Sequence, residues 1–165
     1  MQSKEDLEKH YYDPDPWGYK RSIEDEIRRD RILSVANMFA PYDLALDIAC
    51  GEGWITQSIA AREVHGYEMS DNAAARFPQG VKRIITPTFK YDFIMATGCL
   101  YGHYDCQSFI DIINKCASRI ILTCNIQAWE STKINAINAR QIVYMVFPYH
   151  TGTEQHNQVL RVFKV

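Results

Sequence analysis

Several absences narrow what this 165-residue chain can be. It has no apolar run approaching the roughly 20 residues of a membrane span. Its first fifteen residues are polar and charged, with no apolar core for a secretory leader, so the expected setting is the cytoplasm. Five cysteines, Cys50, Cys99, Cys106, Cys116 and Cys124, form no CxxC pair and are odd in number, so neither a zinc site nor a structural disulfide is expected. The net charge of −2 supplies no general attraction to nucleic acid or anionic membrane. No Gly-x4-Gly-Lys-Ser/Thr run occurs, which excludes a P-loop. Repeats, low-complexity stretches and linkers are also missing, and a single domain with one ordinary core is the expectation.

What is present reads as alternating strands and helices. Residues 1–19 are polar with embedded aromatics and end in DPDPWGY, whose prolines and glycine oppose a regular helix. Ser22, followed by Glu24, Asp25 and Glu26, predicts a capped helix that ends near Phe39, ahead of Pro41. A strand is expected at 44–49, a helix at about 54–62, a second strand at 64–68, and a short helix capped by Ser70 and ended by Pro78. Strands follow at 81–86 and 91–97, a helix at 108–117, a strand at 119–125, and a helix at 129–139. The segments 142–150 and 158–165 are two more strands separated by a polar loop, most economically paired antiparallel. The fold class is therefore α/β: a Rossmann-like, doubly wound, mostly parallel sheet of about seven strands with an antiparallel C-terminal hairpin strand. Residues 1–40 would form an N-terminal arm and helix over the site, and 41–165 the core.

The densest information lies in LALDIACGEG, Leu44 to Gly53. An apolar strand closes on Asp47, and Gly51 and Gly53 make a turn where backbone can approach a ligand or take positive φ without a Cβ penalty. Fifteen residues beyond Gly53, the next strand ends in Glu68, where an acidic tip can hold a ribose diol. A nicotinamide-binding turn would favour a third glycine near position 56, and Thr56 stands there instead.

DIACGEG at 47–53, YEMS at 67–70 and YDFIMATGCLYG at 91–102 together resemble the class I S-adenosylmethionine-dependent methyltransferases, over the chain from Leu44 to Val165. The N-terminal DPDPWGYKRS at 13–22 is similar to the nodulation-type (NodS-like) N-methyltransferases, a branch that methylates amino groups on sugars. The resemblance implies S-adenosyl-L-methionine as cofactor and a small-molecule acceptor, methylated at an amine or hydroxyl. It implies contacts from Asp47, Ala49, Gly51, Glu52 and Gly53 to the methionine portion, with Ala49 replacing a common first glycine. Asp47 or Glu52 would lie near the cationic end, Glu68 would hold the ribose, and Met69 would pack on the adenine. Gly98, Cys99 and Leu100 would border the reactive methyl. No acidic residue occurs at 85–90, where many members bind the adenine amino group, which leaves Thr86 or Thr88 as substitutes.

Trp17 and Tyr12, with Tyr11, are candidates for covering the cofactor. Tyr101 and His103, just past the methyl position, are the candidate catalytic pair. A histidine that titrates near neutral pH can accept an acceptor's proton, and His150 is a weaker candidate of the same kind. Arg28, Arg29, Asp30 and Arg31 read as a solvated helix face. Nucleic-acid methylation is not expected, because the fourth strand exits through ATGCLYG and no Pro-Cys nucleophile exists. The competing expectation is an inactive S-adenosylmethionine-binding sensor or partner subunit, motivated by a chain short of lids and inserts.

Overall fold

The structure, a computed structural model, describes residues 3–165. Seven strands form one sheet: β1 (Tyr42–Ile48), β2 (Ala61–Tyr67), β3 (Val81–Ile84), β4 (Tyr91–Thr97), β5 (Ala117–Ile126), β6 (Arg140–Thr151) and β7 (Glu154–Lys164). Their order is β3-β2-β1-β4-β5-β7-β6. β1 to β5 pair in parallel, while β7 runs against both β5 and β6, as the sequence predicts. The chain reverses its direction of travel between β1 and β4, so the carboxyl ends of those strands define the crevice where ligands bind in such sheets.

Both faces of the central strands are buried, which explains their nearly continuous apolar runs. Helix α2 (Ile23–Asn37) starts where predicted, with the Ser22 hydroxyl accepting from the Asp25 amide at 3.2 Å. It packs Ile32, Leu33, Val35 and Ala36 against Ala45, Phe93 and Met95 on one face. On the other face, α4 (Cys106–Cys116) brings Ile110, Ile113 and Cys116 against Leu46, Ile48 and Ile94. Ser70 caps the single-turn α3 (Asp71–Ala74) through the Ala73 amide. Among the described residues, no helix is long and apolar enough to cross a membrane.

Four expectations need correction. The helix expected at 54–62 is only a 3-10 turn, Thr56–Ser58, and β2 begins at Ala61. Once the glycine loop is subtracted, too few residues remain between β1 and β2 to repay helix nucleation. The helix expected at 129–139 is two 3-10 segments, Gln127–Trp129 and Thr132–Ala136. Between them, Glu130 bridges to Tyr101 and the Ser131 amide donates to the Leu100 carbonyl at 2.9 Å, which holds the chain extended. The N-terminal stretch contains an unpredicted helix, α1 (Lys4–His10), closed by a reciprocal Ser3–Asp6 capping box. The polar loop expected before β7 is instead a tight turn at Gly152, φ +60°, so β6 and β7 pair out to Thr151 and Glu154.

One glycine in β2 is required by packing alone. A Cβ on Gly66 would come within 2.7 Å of the Phe77 ring and 2.8 Å of Cys50 Sγ. The variant Gly66→Ala is expected to lose about 1–3 kcal/mol from this overpacking. Urea denaturation checks it, and an unshifted midpoint would contradict the packing.

Candidate functional site

The carboxyl ends of β1, β2 and β4 open into a cavity of about 1130 Å³, walled by the N-terminal arm on one side and the β6–β7 hairpin on the other. The loop after β1 is its floor. Gly51 has φ +56°, and a Cβ there would meet the Tyr11 hydroxyl at 2.8 Å, so close coverage by Tyr11 demands a bare backbone. Ala49 also sits at positive φ, +53°, a conformation that L side chains resist. Gly53 is needed for a different reason. It turns away from the cavity and packs on Pro78, which a Cβ would meet at 3.0 Å.

Glu68, at the exit of β2, is 7% exposed and holds two oxygens side by side. Oε2 accepts from the Gly51 amide at 2.9 Å and Oε1 from the Ser70 amide at 2.9 Å. Burial pushes its pKa above the usual carboxylate range, against the pull of these backbone donors. Each oxygen keeps a second lone pair, which makes the group a fixed double acceptor.

Asp47 is almost fully buried. Its Oδ2 accepts from the Thr56 hydroxyl at 2.6 Å, and its Oδ1 is sealed from solvent with no hydrogen-bond partner among the described residues. Burial raises its pKa to about 7, despite the Thr56 bond. Thr56, conspicuous in the sequence only as a missing glycine, is the residue that orients this carboxylate. Glu52 has no such freedom. It accepts from the Asp15 amide at 2.9 Å, Lys20 Nζ at 3.0 Å and Arg76 Nε at 2.7 Å. Burial alone would raise its pKa, but these donors outweigh burial and lower it. Of the two carboxylates expected near a cation, Asp47 alone keeps an unused oxygen.

The arm carries a second correction. Tyr12 is 80% exposed and outside the cavity, whereas Tyr11 is 7% exposed and lines it. Arg76 Nη2 grips the Tyr11 carbonyl at 2.6 Å as the chain leaves α1, and adjacent side chains point apart there. Trp17 lines the cavity as expected and donates its indole N–H to the Tyr11 hydroxyl at 3.1 Å. Its ring continues into a stack, with Tyr19 at 6.4 Å and then Trp54 at 6.0 Å.

Beyond β4, Gly98, Cys99, Tyr101 and His103 border the cavity, and Met69 joins them from the β2 side. Leu100 does not. It is fully buried in the opposite core cluster with Leu46 and Ile48, because the exit backbone turns it inward. Tyr101 and His103 stack at 5.6 Å, and the Tyr101 hydroxyl accepts from the Ile126 amide at 3.4 Å. Burial pushes the Tyr101 pKa up, so its hydroxyl stays neutral. Thr86 and Thr88 are exposed and outside the cavity lining, while Phe109 of α4 lines the cavity, as does Met69. His150 lines the rim, 3.6 Å from Glu24.

Two residues escaped the sequence reading. Arg28, expected on a solvated face, is 5% exposed and borders the cavity. A terminal guanidinium nitrogen lies 3.5 Å from where a Cβ on Gly98 would sit. No carboxylate lies within 4 Å of it among the described residues, and its Nε has no partner. Asp25, one turn earlier on α2, is equally buried and also lines the cavity. Positions 25, 28, 32, 35 and 36 form one helical stripe, so the periodicity of Ile32, Val35 and Ala36 extended backwards was the available signal.

No family model matches the sequence, and neither does any curated protein. Solved structures do match the fold. The N-methyltransferase NodS from Bradyrhizobium japonicum WM9, in complex with S-adenosyl-L-homocysteine, aligns with a TM-score of 0.84 at 14% identity, over 99% of this chain and 98% of that one. NodS without that ligand gives 0.72 at 12% identity, over 88% of this chain and 98% of the other. The magnesium protoporphyrin IX methyltransferase ChlM from Synechocystis PCC 6803, with bound SAM, gives 0.64 at 13%, over 98% of this chain and 97% of that one. The chain has the fold of the class I methyltransferases.

Proposed function

We propose that this protein is a cytoplasmic S-adenosylmethionine-dependent methyltransferase acting on an amine or hydroxyl of a small molecule, an amino sugar among the candidates. The observation that carries the reading is the convergence of unfilled polar groups on one cavity. Glu68 offers a fixed pair of acceptor oxygens, which suits a ribose diol. Asp47 Oδ1 and Arg28 Nε lack partners while buried, and no carboxylate neutralises the Arg28 guanidinium among the described residues, a costly arrangement unless a ligand supplies opposite charges. An amino-acid tail, ammonium and carboxylate together, matches that pair. Met69 and Phe109 offer apolar surface for adenine in place of an acidic contact. The likeness to structures holding S-adenosylhomocysteine or SAM supports the same cofactor.

When bound, the cofactor supplies an electrophilic methyl group on a sulfonium. The residues of this chain orient and enclose. Tyr11, Trp17 and Tyr19 cover the floor, and the Glu52 clamp holds them there. Tyr101, held neutral, shapes the acceptor side, and His103 stacked on it is available to take a proton. Alignment of this kind can lower a barrier by about 7–11 kcal/mol without elaborate acid–base machinery. The aromatic chamber beyond Gly98 favours transfer over simple cofactor sensing.

Calorimetry with S-adenosylhomocysteine tests the reading. Glu68→Ala and Arg28→Met are each expected to weaken binding about 10- to 150-fold, the range of a lost charged hydrogen bond of about 1.5–3 kcal/mol. No binding to the unaltered protein, or variants that both bind as tightly as the unaltered protein, would refute it.

Affinity should also depend on pH. Asp47 is protonated below its raised pKa of about 7, and pairing with an ammonium group requires the carboxylate, so binding must expel a proton there. S-adenosylhomocysteine affinity is therefore expected to climb by about tenfold per pH unit between 5.5 and 7 and then level off. Asp47→Asn should flatten that profile; a slope unchanged in the variant would assign the proton elsewhere.

A further inference from the structure

The acceptor side of the cavity contains one carboxylate whose purpose the cofactor does not explain. Asp25 is 5% exposed on the buried stripe of α2. Its Oδ1 accepts from the Tyr149 hydroxyl at 2.7 Å. Burial, together with the Asp25 bond and charge, raises the Tyr149 pKa, so that hydroxyl remains a donor. Oδ2 accepts no hydrogen bond among the described residues and, unlike Asp47 Oδ1, is not sealed off. Among the described residues, no lysine, arginine or histidine pairs with it within 4 Å. The other cavity carboxylates are engaged: Glu52 and Asp15 with the arm, Glu68 with two amides, Asp47 with Thr56 and Asp105 with Ser108. The rings of Tyr19, Tyr101 and Tyr149 line the same cavity. The Tyr101 hydroxyl is 3.8 Å from the Cβ position of Gly98, at the exit of β4.

We propose that Asp25 Oδ2 is the anchor for the acceptor nitrogen and that the acceptor is an amine rather than an alcohol, an inference that rests on the methyltransferase reading above. An alcohol acceptor would end as a neutral ether, with no positive charge for a buried carboxylate to oppose, and would need a base such as His103 to take its proton. An amine needs none. Its neutral form attacks with the nitrogen lone pair, the N–C bond forms as the C–S bond breaks, and the breaking pair stays on sulfur. The positive charge thus passes from sulfur to nitrogen, and the methylated ammonium gives up its proton to solvent after release. Asp25 opposes the charge that arrives on nitrogen, an interaction stronger in the transition state than in the neutral amine complex.

The test uses analogues of S-adenosylhomocysteine in which a tertiary nitrogen replaces sulfur and carries an aminoethyl or aminopropyl arm, compared with hydroxyethyl and hydroxypropyl counterparts. The cofactor portion anchors each probe, so the end of the arm reports on the acceptor side alone. At least one amino arm is expected to bind tenfold or more tighter than its hydroxyl counterpart, and Asp25→Asn should erase that preference while S-adenosylhomocysteine affinity stays within twofold. Asp25→Ser, as a second substitution, should do the same. If S-adenosylhomocysteine binds but no amino arm is preferred, or if the preference survives in both variants, the assignment of Asp25 is overturned. Absence of S-adenosylhomocysteine binding to the unaltered protein would instead overturn the underlying function.

Discussion

The Glu52 carboxylate is the point on which the site depends. Lys20 and the Asp15 amide reach it from the arm, Arg76 from the end of α3, and Glu52 itself belongs to the loop after β1. Three segments distant in sequence are thereby fixed around one mostly buried charge. Such a charge is stable only while its partners remain, and removal of one leaves a penalty larger than the bond itself. Coverage of the cavity by Tyr11 and Trp17 follows from that tie, since Arg76 also holds the Tyr11 carbonyl.

The economy of the crossovers shapes the rest. With a 3-10 turn after β1, a single helical turn after β2 and no helix between β3 and β4, the sheet has little helical cover near its crevice. The cavity walls come from the two ends of the chain instead: arm and α2 on one side, β6–β7 on the other. α2 does double duty. Its C-terminal half packs Ile32 and Ala36 into the core, and its N-terminal half presents Asp25 and Arg28 to the cavity.

The sequence was legible where a single local signal sufficed. β1, β4 and β5 announced themselves through apolar runs, α2 through its cap, and Glu68 through its interval from the glycine turn. It was silent where tertiary contacts decided. Glu130 and Ser131 favour helix locally, but pairing with the β4 exit keeps them extended. Tyr11 and Tyr12 are indistinguishable as letters, and only the grip of Arg76 decides which one turns inward. Gly53 and Leu100 belong to two motifs in which adjacent members line the cavity, yet their own neighbours are Pro78 and the core. Arg28 was hidden by its company, since Arg29, Asp30 and Arg31 made the whole segment look solvated.

β7 lies between β5 and β6, so the sheet closes around a strand that follows both of them in the chain. During synthesis β6 has no neighbour to pair with until Glu154–Lys164 has emerged, and a long, largely uncharged strand must wait unpaired. The hairpin turn at Gly152 shortens that wait by bringing the two strands together locally before β7 finds β5. The preformed hairpin can then dock on the β5 edge as one unit. Because Tyr149 and Gln158 ride on that hairpin, this wall of the cavity is complete only once β7 has paired with β5.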